Sequence, residues 1–206
     1  MDSRLLIVYA LLFLCLSGRT CHGSVLFSSL KWTLSVHASP KQGAMLKAGE
    51  DKITVTWGLN KTLPASTDDQ YKKVKVKLCF APISQKDRAW RKTENELKRD
   101  KTCQFTIVDR AYDSSAKTEQ RFDWVVERDV PSATYFVRAY AYDSAGAEVA
   151  YGQSTDGSKS SNLFDIQGIT GRHASLDIAA ATFSAFSVLS LFAFFFNEKR
   201  KGRAGK

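Results

Sequence analysis

One uninterrupted apolar stretch near the C-terminus limits what this chain can fold into. Ile178–Phe196 holds nineteen residues without a charge, a proline or a glycine. As a helix rising about 1.5 Å per residue, it would cover the roughly 30 Å of a bilayer's hydrocarbon core. A buried core helix is the alternative, but such a helix would normally carry a polar face, and here serine and threonine are the only polar residues. We therefore predict that residues 178–196 form a transmembrane helix.

The residues on either side of this stretch predict its orientation. Asp177 precedes it, whereas Asn197 and Glu198 follow it and lead directly into the basic run Lys199–Lys201. Basic residues collect at the cytoplasmic end of a spanning helix. We expect residues 197–206 to form a basic cytosolic tail and everything before Asp177 to lie outside the cell.

The N-terminus has the order of a secretory signal. Arg4 is followed by the apolar run Leu5–Leu16 and then by polar residues as far as Gly23. This order is typical of a signal peptide that is cleaved. A signal anchor that stays in the membrane is the alternative, but the run is short for a span and a better span exists. We predict a signal peptide at 1–23, an extracellular domain at 24–170 and a linker at 171–177, in a type I, single-pass membrane protein.

The charge of the chain is spread over its parts. The formal net charge is +9, of which the tail carries +4 and the segment 24–177 also carries +4. The extracellular domain is therefore only mildly basic, whereas the tail suits a surface of anionic lipid. We expect no nucleic-acid partner for a domain that is translocated.

Two cysteines would remain after the signal is removed. They are Cys79 and Cys103, and the compartment they enter is oxidising. A disulfide between them is the default expectation. It would close a loop of about 25 residues and contribute about 3 kcal/mol in the chain-entropy model. The alternative is two separate buried thiols.

Short segments of alternating polarity predict strands along most of the extracellular part. In Tyr71–Phe80, Val74, Val76 and Leu78 point one way and the lysines and Cys79 point the other. Further predicted strands are Lys31–His37, Ile53–Leu59, a segment through Phe105, Ile107 and Tyr112, Phe122–Val126, Tyr135–Tyr142, Ala147–Tyr151 and Leu163–Ile169. Gly146 marks a hairpin turn, and Arg91–Lys101 is the one candidate for a helix. The pattern favours an all-β antiparallel sandwich of the immunoglobulin or fibronectin III kind.

Two aromatic residues match the anchors of such sandwiches. Trp57 lies on an early strand and Tyr135 lies near the start of a late one. In these folds a tyrosine hydroxyl near the start of that late strand bonds back to the backbone and closes a corner. The alternative is that both are ordinary core aromatics.

A glycosylation sequence follows one of the strands. Asn60, Lys61 and Thr62 form the N-x-T acceptor, just before Pro64, where a loop is expected. Translocation would make the site usable, so we predict N-glycosylation at Asn60.

The motifs of catalysis and metal binding are missing from the sequence. His22, His37 and His173 lie far apart, and no cysteine and histidine set has metal-ligand spacing. There is also no phosphate loop, G-x-S-x-G or H-E-x-x-H motif. We expect a protein that is not an enzyme and needs no cofactor or metal. A single span also cannot build a solute pathway alone, which leaves binding as the function.

Two surfaces are candidates for binding. In the charged segment 84–101, Trp90 is flanked by Arg88 and Arg91, a composition found in interface hot spots, although a charged loop can also be merely solvated. In the transmembrane segment, small residues at i, i+3, i+4 and i+7 would let another helix approach closely, unless they are scattered by chance. This stripe consists of Ala181, Ser184, Ala185 and Val188.

Several long segments resemble a known family. VKVKLCFAPISQKDRAWRK, ERDVPSATYFVRAYAYDSAGAEVAYGQS and FSAFSVLSLFAFFFNEKRK look like the plant accessory subunit of the two-component high-affinity nitrate uptake system. The likeness runs from about Lys72 to Lys201, with a weaker match at Ile53–Leu59. It implies a non-catalytic subunit that forms a hetero-oligomer with a multi-spanning nitrate/nitrite porter of the major facilitator type. The porter would need it for assembly, stability and uptake activity at the plasma membrane.

The resemblance also implies roles for particular residues. In the family, an arginine after the tryptophan of the charged loop and an aspartate just before the second cysteine are associated with partner binding. Here these are Arg91, in Trp-Arg-Lys, and Asp100, in Arg-Asp-Lys-Thr-Cys. Arg99 stands where a lysine is expected, which keeps the charge. We predict that Trp90, Arg91 and Asp100 form the partner-binding set.

One alternative comes from a different class of function. The chain could be a single-span receptor or adhesion module that binds an apoplastic ligand. The predicted tail of about ten residues is too short for a signalling domain, which counts against a receptor.

Overall fold

The computed structural model describes residues 24–113 and 119–204. The predicted signal peptide at 1–23 lies outside the described residues, as do the last two residues of the predicted tail. The described part contains ten strands and one long helix. Their bounds are β1 Lys31–Trp32, β2 Leu34–Ala38, β3 Met45–Lys47, β4 Lys52–Leu59, β5 Lys73–Phe80, β6 Cys103–Ala111, β7 Gln120–Val125, β8 Ala133–Tyr142, β9 Glu148–Gln153, β10 Phe164–Gln167 and α1 Ala174–Ala204.

The strands form two sheets. In the larger sheet, β8 pairs antiparallel with β5 along one side, and β5 pairs with β6. Along its other side β8 pairs first with β10 and then with β9, while β3 and β1 add parallel to β10 and β9. The smaller sheet has the order β2-β4-β7. This is the predicted all-β sandwich of immunoglobulin-like type.

The core lies between the sheets and is built from alternate residues. On β4, Ile53, Val55 and Trp57 are fully buried. They join one cluster with Val74, Val76 and Leu78 of β5 and with Tyr135 and Val137 of β8. The predicted alternation of Tyr71–Phe80 is therefore confirmed, because its lysines lie on the opposite face of β5.

The predicted strand Lys31–His37 is confirmed as extended chain, but it is divided into two strands because the chain changes sheets at Thr33. Lys31–Trp32 pairs with β9 in the larger sheet, whereas Leu34–Ala38 pairs with β4 in the smaller one. The Thr33 hydroxyl shares a 2.7 Å hydrogen bond with the Tyr71 hydroxyl at this change. Trp32 is consequently half exposed on the larger sheet and does not share a face with Leu34.

Tyr135 closes the predicted corner. Its hydroxyl donates a 2.7 Å hydrogen bond to the backbone carbonyl of Pro131, four residues earlier. Burial raises the pKa of this phenol well above its ordinary value, so it stays a donor. The hairpin turn between β8 and β9 is also as predicted, with Gly146 at a φ of +76°.

The predicted disulfide is present. Cys79 near the end of β5 is bonded to Cys103 at the start of β6. The two residues lie directly opposite each other in the ladder between these strands. The bond therefore joins neighbouring strands of one sheet at the base of the segment that connects them.

The apolar stretch forms a helix that extends beyond its predicted bounds. The helix α1 has 31 residues and includes all of 178–196. Within it, the 28 residues Ala174–Lys201 are long and apolar enough to cross a membrane. Large side chains such as Phe183 and Leu191 are exposed on this helix. Exposed apolar side chains on a span of this length suit lipid or another helix, so α1 indicates a membrane anchor.

Candidate partner-binding site

The disulfide loop, residues 81–102, connects β5 to β6 and carries the predicted partner-binding set. Its first residues are fastened to the start of β8. The backbone N–H of Ala81 donates to the Thr134 carbonyl at 2.9 Å. The N–H of Thr134 donates in return to the Ser84 hydroxyl at 2.8 Å. The loop therefore begins as a rigid continuation of the larger sheet.

The predicted helix at Arg91–Lys101 is wrong. The structure has only a three-residue 3-10 turn, Ala89–Arg91, followed by irregular chain. In this segment, side chains hydrogen-bond to the backbone and to one another where a helix would have its backbone hydrogen bonds. For example, the Thr93 hydroxyl donates to the Gln85 side-chain oxygen at 2.8 Å. Short polar side chains compete with helix formation in this way.

Asp100 organises the second half of the disulfide loop. One carboxylate oxygen accepts three hydrogen bonds, from the N–H of Glu94 at 3.2 Å, the N–H of Thr102 at 3.1 Å and the Thr102 hydroxyl at 2.6 Å. An ionised acceptor makes such bonds stronger than neutral ones. Asp100 is half-buried and directed at its own loop, so its geometry suits positioning of the loop.

Arg91 lies inside the disulfide loop. Its side chain is only 7% exposed, and its guanidinium carbon lies 4.3 Å from the centroid of the Phe80 ring. One terminal nitrogen donates to the Ser84 carbonyl at 3.3 Å, while Nε has no hydrogen-bond partner among the described residues. Burial lowers the pKa of this guanidinium. None of the ion pairs within the described residues includes Arg91. The favourable contacts of its guanidinium include the Phe80 ring and the Ser84 carbonyl.

Trp90 is the exposed member of the predicted set. Its side chain is 59% exposed, next to Ile83 at 72%. The Trp90 carbonyl accepts a 2.7 Å hydrogen bond from the Gln104 amide, which fixes the backbone beneath the exposed ring. The structure thus brings Trp90, Arg91 and Asp100 into one loop, but it turns only Trp90 outward.

The N-terminal segment supports the far side of the disulfide loop, which sequence reasoning missed. Leu26 bridges to Glu96. The N–H of Phe27 donates to the Asn95 carbonyl at 2.6 Å, and that of Leu97 donates to the Val25 carbonyl at 3.0 Å. The apolar residues after the predicted cleavage site indicated that this segment packs against the domain. Nothing in the sequence identified the disulfide loop as the surface that it contacts.

A buried arginine beneath this segment was also missed. Arg138 on β8 is 1% exposed. Its guanidinium donates twice to the Gln153 side-chain carbonyl, at 2.9 and 3.2 Å, and once to the Tyr140 hydroxyl at 3.1 Å. The Phe27 ring stacks on it at 4.4 Å. A lone arginine in an otherwise apolar strand was the signal, and its role here is to fasten the N-terminal segment to the sheet.

The remaining predicted sites lie away from the disulfide loop. At the end of β4, the Asn60 side-chain oxygen accepts from the N–H and hydroxyl of Thr62 at 3.1 and 2.9 Å. Glycosylation at Asn60 stays a prediction, as does packing through the exposed helix stripe. That stripe consists of Ala181, Ser184, Ala185 and Val188. Within the described ranges, no three histidine, cysteine or acidic residues stand close enough to hold a metal ion.

Comparisons with known proteins agree with this architecture. The family described as "High-affinity nitrate transporter accessory, Ig-like domain" matches residues 27–171. "High-affinity nitrate transporter 3.1" of Arabidopsis thaliana is 50% identical over 204 residues, covering 96% of this chain and 95% of that protein. "High-affinity nitrate transporter-activating protein 2.1" of Oryza sativa subsp. japonica is 52% identical over 177 residues, covering 86% and 82%.

The family match spans the folded domain from the N-terminal segment to the linker before α1, and the similarity to the Arabidopsis protein also includes the helix. Accessory proteins of this family activate a transporter and are not enzymes. The chain therefore belongs to the NAR2 family of high-affinity nitrate transporter accessory proteins, and it has an accessory role in nitrate transport.

Proposed function

We propose that this chain is an accessory subunit that binds a multi-spanning high-affinity nitrate/nitrite porter of the major facilitator type. In this proposal the porter needs the chain for its assembly, stability and uptake activity at the plasma membrane. The observation that carries the proposal is the family match across the whole folded domain. The names of the rice relatives, which are transporter-activating proteins, support it.

The disulfide loop is the proposed contact with the porter. Trp90 offers a large, exposed aromatic surface on a backbone that Gln104 holds in place. Tryptophan is among the residues that contribute most to binding at interfaces. Arg91 and Asp100 lie beneath this surface and act indirectly. They hold the loop in shape through Phe80, Ser84 and Thr102, so their loss would disturb the contact indirectly.

The membrane helix supplies a second proposed contact. In this arrangement the signal at 1–23 is cleaved, the sandwich lies outside the cell and the basic tail lies in the cytosol. The stripe of small residues on α1 then packs against a helix of the porter, giving a hetero-oligomer. Close packing through small residues is a common way for membrane helices to associate.

Co-purification in detergent tests the proposal. The tagged full-length chain is expressed with the high-affinity nitrate transporter of the same plant, and the transporter recovered on the tag is quantified. We expect recovery with the wild-type chain, and reduced recovery when residues 178–196 are exchanged for an unrelated span. Failure of the wild-type chain to retain the transporter would contradict the proposal.

A further inference from the structure

A groove crosses the end of the larger sheet beside the disulfide loop. The loop forms one wall through Ile83 and Arg88, and Met45 of β3 contributes to the other wall. Thr134 and Asp165 line the floor, where the Thr134 hydroxyl donates to the Asp165 carboxylate at 2.6 Å.

The groove lies at the end of the domain from which the chain continues to the membrane helix. The Ser132 hydroxyl, which also borders the groove, accepts a 2.9 Å hydrogen bond from the N–H of Gly168, the first residue after β10. Residues 168–173 alone separate β10 from α1. Six extended residues reach about 20 Å at most. A segment in the groove would therefore lie near the membrane surface, where the extracellular parts of a membrane-embedded partner are found.

The side chains around the groove favour an occupant that is both apolar and acidic. Ile83 is 72% exposed and Met45 is 68% exposed. It is unusual for two large apolar side chains on the same surface to be this exposed. Arg91 also lines the groove, its Nε has no hydrogen-bond partner, and none of the ion pairs among the described residues includes it. Arg88 adds a second positive charge. Asp165, the acidic residue in this lining, is already bonded to Thr134.

We propose that this groove binds an extended segment from the extracellular side of the nitrate transporter. An apolar side chain of the segment sits between Ile83 and Met45, and a carboxylate next to it pairs with Arg88. The inference rests on the proposed function, from which it takes the partner.

The test uses the full-length chain expressed with its transporter. Met45→Asp, Ile83→Asp and Arg88→Glu are compared with the wild type, and Arg88→Lys keeps the charge. The matched control is Ala145→Asp, which adds the same single negative charge as the two aspartate variants, on the exposed β8–β9 turn. That turn lies at the other end of β8, about 30 Å away for a ten-residue strand. A photo-crosslinking residue at position 45 reports contact directly, and thermal unfolding verifies that each variant folds.

We expect the three groove variants to reduce co-purified transporter by about tenfold or more, the size of a hot-spot effect. Arg88→Lys and Ala145→Asp should stay within about twofold of the wild type, and position 45 should crosslink to the transporter. If the wild-type chain retains the transporter but the groove variants behave like Ala145→Asp, or position 45 crosslinks only to lipid, the groove proposal is overturned and the proposed function stands. If the wild-type chain retains no transporter, both the groove proposal and the proposed function are contradicted.

Discussion

The guanidinium of Arg91 stacks on the ring of Phe80, with 4.3 Å between the guanidinium carbon and the ring centroid. Phe80 is the last residue of β5, so this contact ties the middle of the disulfide loop to the sheet at its base. The resemblance to the accessory family pointed to Arg91 as a partner-binding residue. In this structure Arg91 contacts Phe80 and the Ser84 carbonyl within the domain, with Trp90 beside it on the surface, and its role in partner binding stays a prediction.

Arg91→Gly should lower the free energy of unfolding by about 2 kcal/mol, because the stacking and a buried hydrogen bond are both lost. Arg91→Lys keeps the charge but not the flat guanidinium and should cost about 1 kcal/mol. Chemical unfolding of the full-length chain in detergent measures both changes. Equal stability of wild type and Arg91→Gly would show that the stacking contributes nothing.

Trp90→Ala should separate binding from stability. Because the ring is largely exposed, the free energy of unfolding should change by less than about 0.5 kcal/mol. Co-purified transporter should nevertheless fall about tenfold. Trp32→Ala, at a half-exposed tryptophan on β1, is the matched control and should retain the transporter. If Trp90→Ala retains the transporter fully, the Trp90 ring is not part of the interface.

Asp100 variants test whether its carboxylate holds the loop. Asp100→Asn keeps an acceptor oxygen and should cost about 1 kcal/mol in unfolding free energy, whereas Asp100→Ala leaves two backbone N–H groups unpaired and should cost about 3 kcal/mol. Asp87→Asn removes the same charge from an exposed position of the loop whose φ of +57° asparagine tolerates. It should have no effect. If the alanine and asparagine variants at position 100 are equally stable, the three hydrogen bonds do not support the loop.

The loop after β9 should respond to acid. Hydrogen bonds from the Ser158 hydroxyl and from the N–H and hydroxyl of Ser160 hold the pKa of the Asp156 carboxyl far below its ordinary value. A carboxyl whose pKa is lowered by folding contributes stability above its unfolded pKa of about 3.9, and that contribution is lost as the pH falls further. The thermal midpoint of the wild type should therefore exceed that of Asp156→Asn at pH 6, and the difference should shrink below about pH 4. A difference that stays constant from pH 6 to pH 2 would contradict this assignment.

Much of the sandwich could be predicted from local pattern. The alternating polarity around Val74 and Val76 predicted β5, because this alternation depends only on neighbouring residues. The position of Tyr135 predicted the corner, because its hydroxyl bonds to a carbonyl only four residues earlier. Cys79 and Cys103 could be paired because the predicted removal of the signal peptide would leave no other cysteines.

The features that could not be predicted depend on residues that are distant in the sequence. The change of sheet at Thr33 leaves the alternation from Trp32 to Val36 intact, so periodicity alone cannot detect it. The burial of Arg91 depends on Phe80, eleven residues away, in a segment whose charges indicate only solvent exposure. The groove is less predictable still, because Met45 and Ile83 approach each other only after β3 has joined β10.

Nitrate influx is the sharpest test of whether the transporter needs this chain for uptake. The transporter is expressed in cells without a nitrate uptake system of their own, either alone or with the full-length chain, and influx of labelled nitrate is measured together with the amount of transporter at the cell surface. We predict influx with the wild-type chain, little influx without it, and a large loss with Trp90→Ala although that variant folds. Equal influx with and without the chain would contradict this prediction.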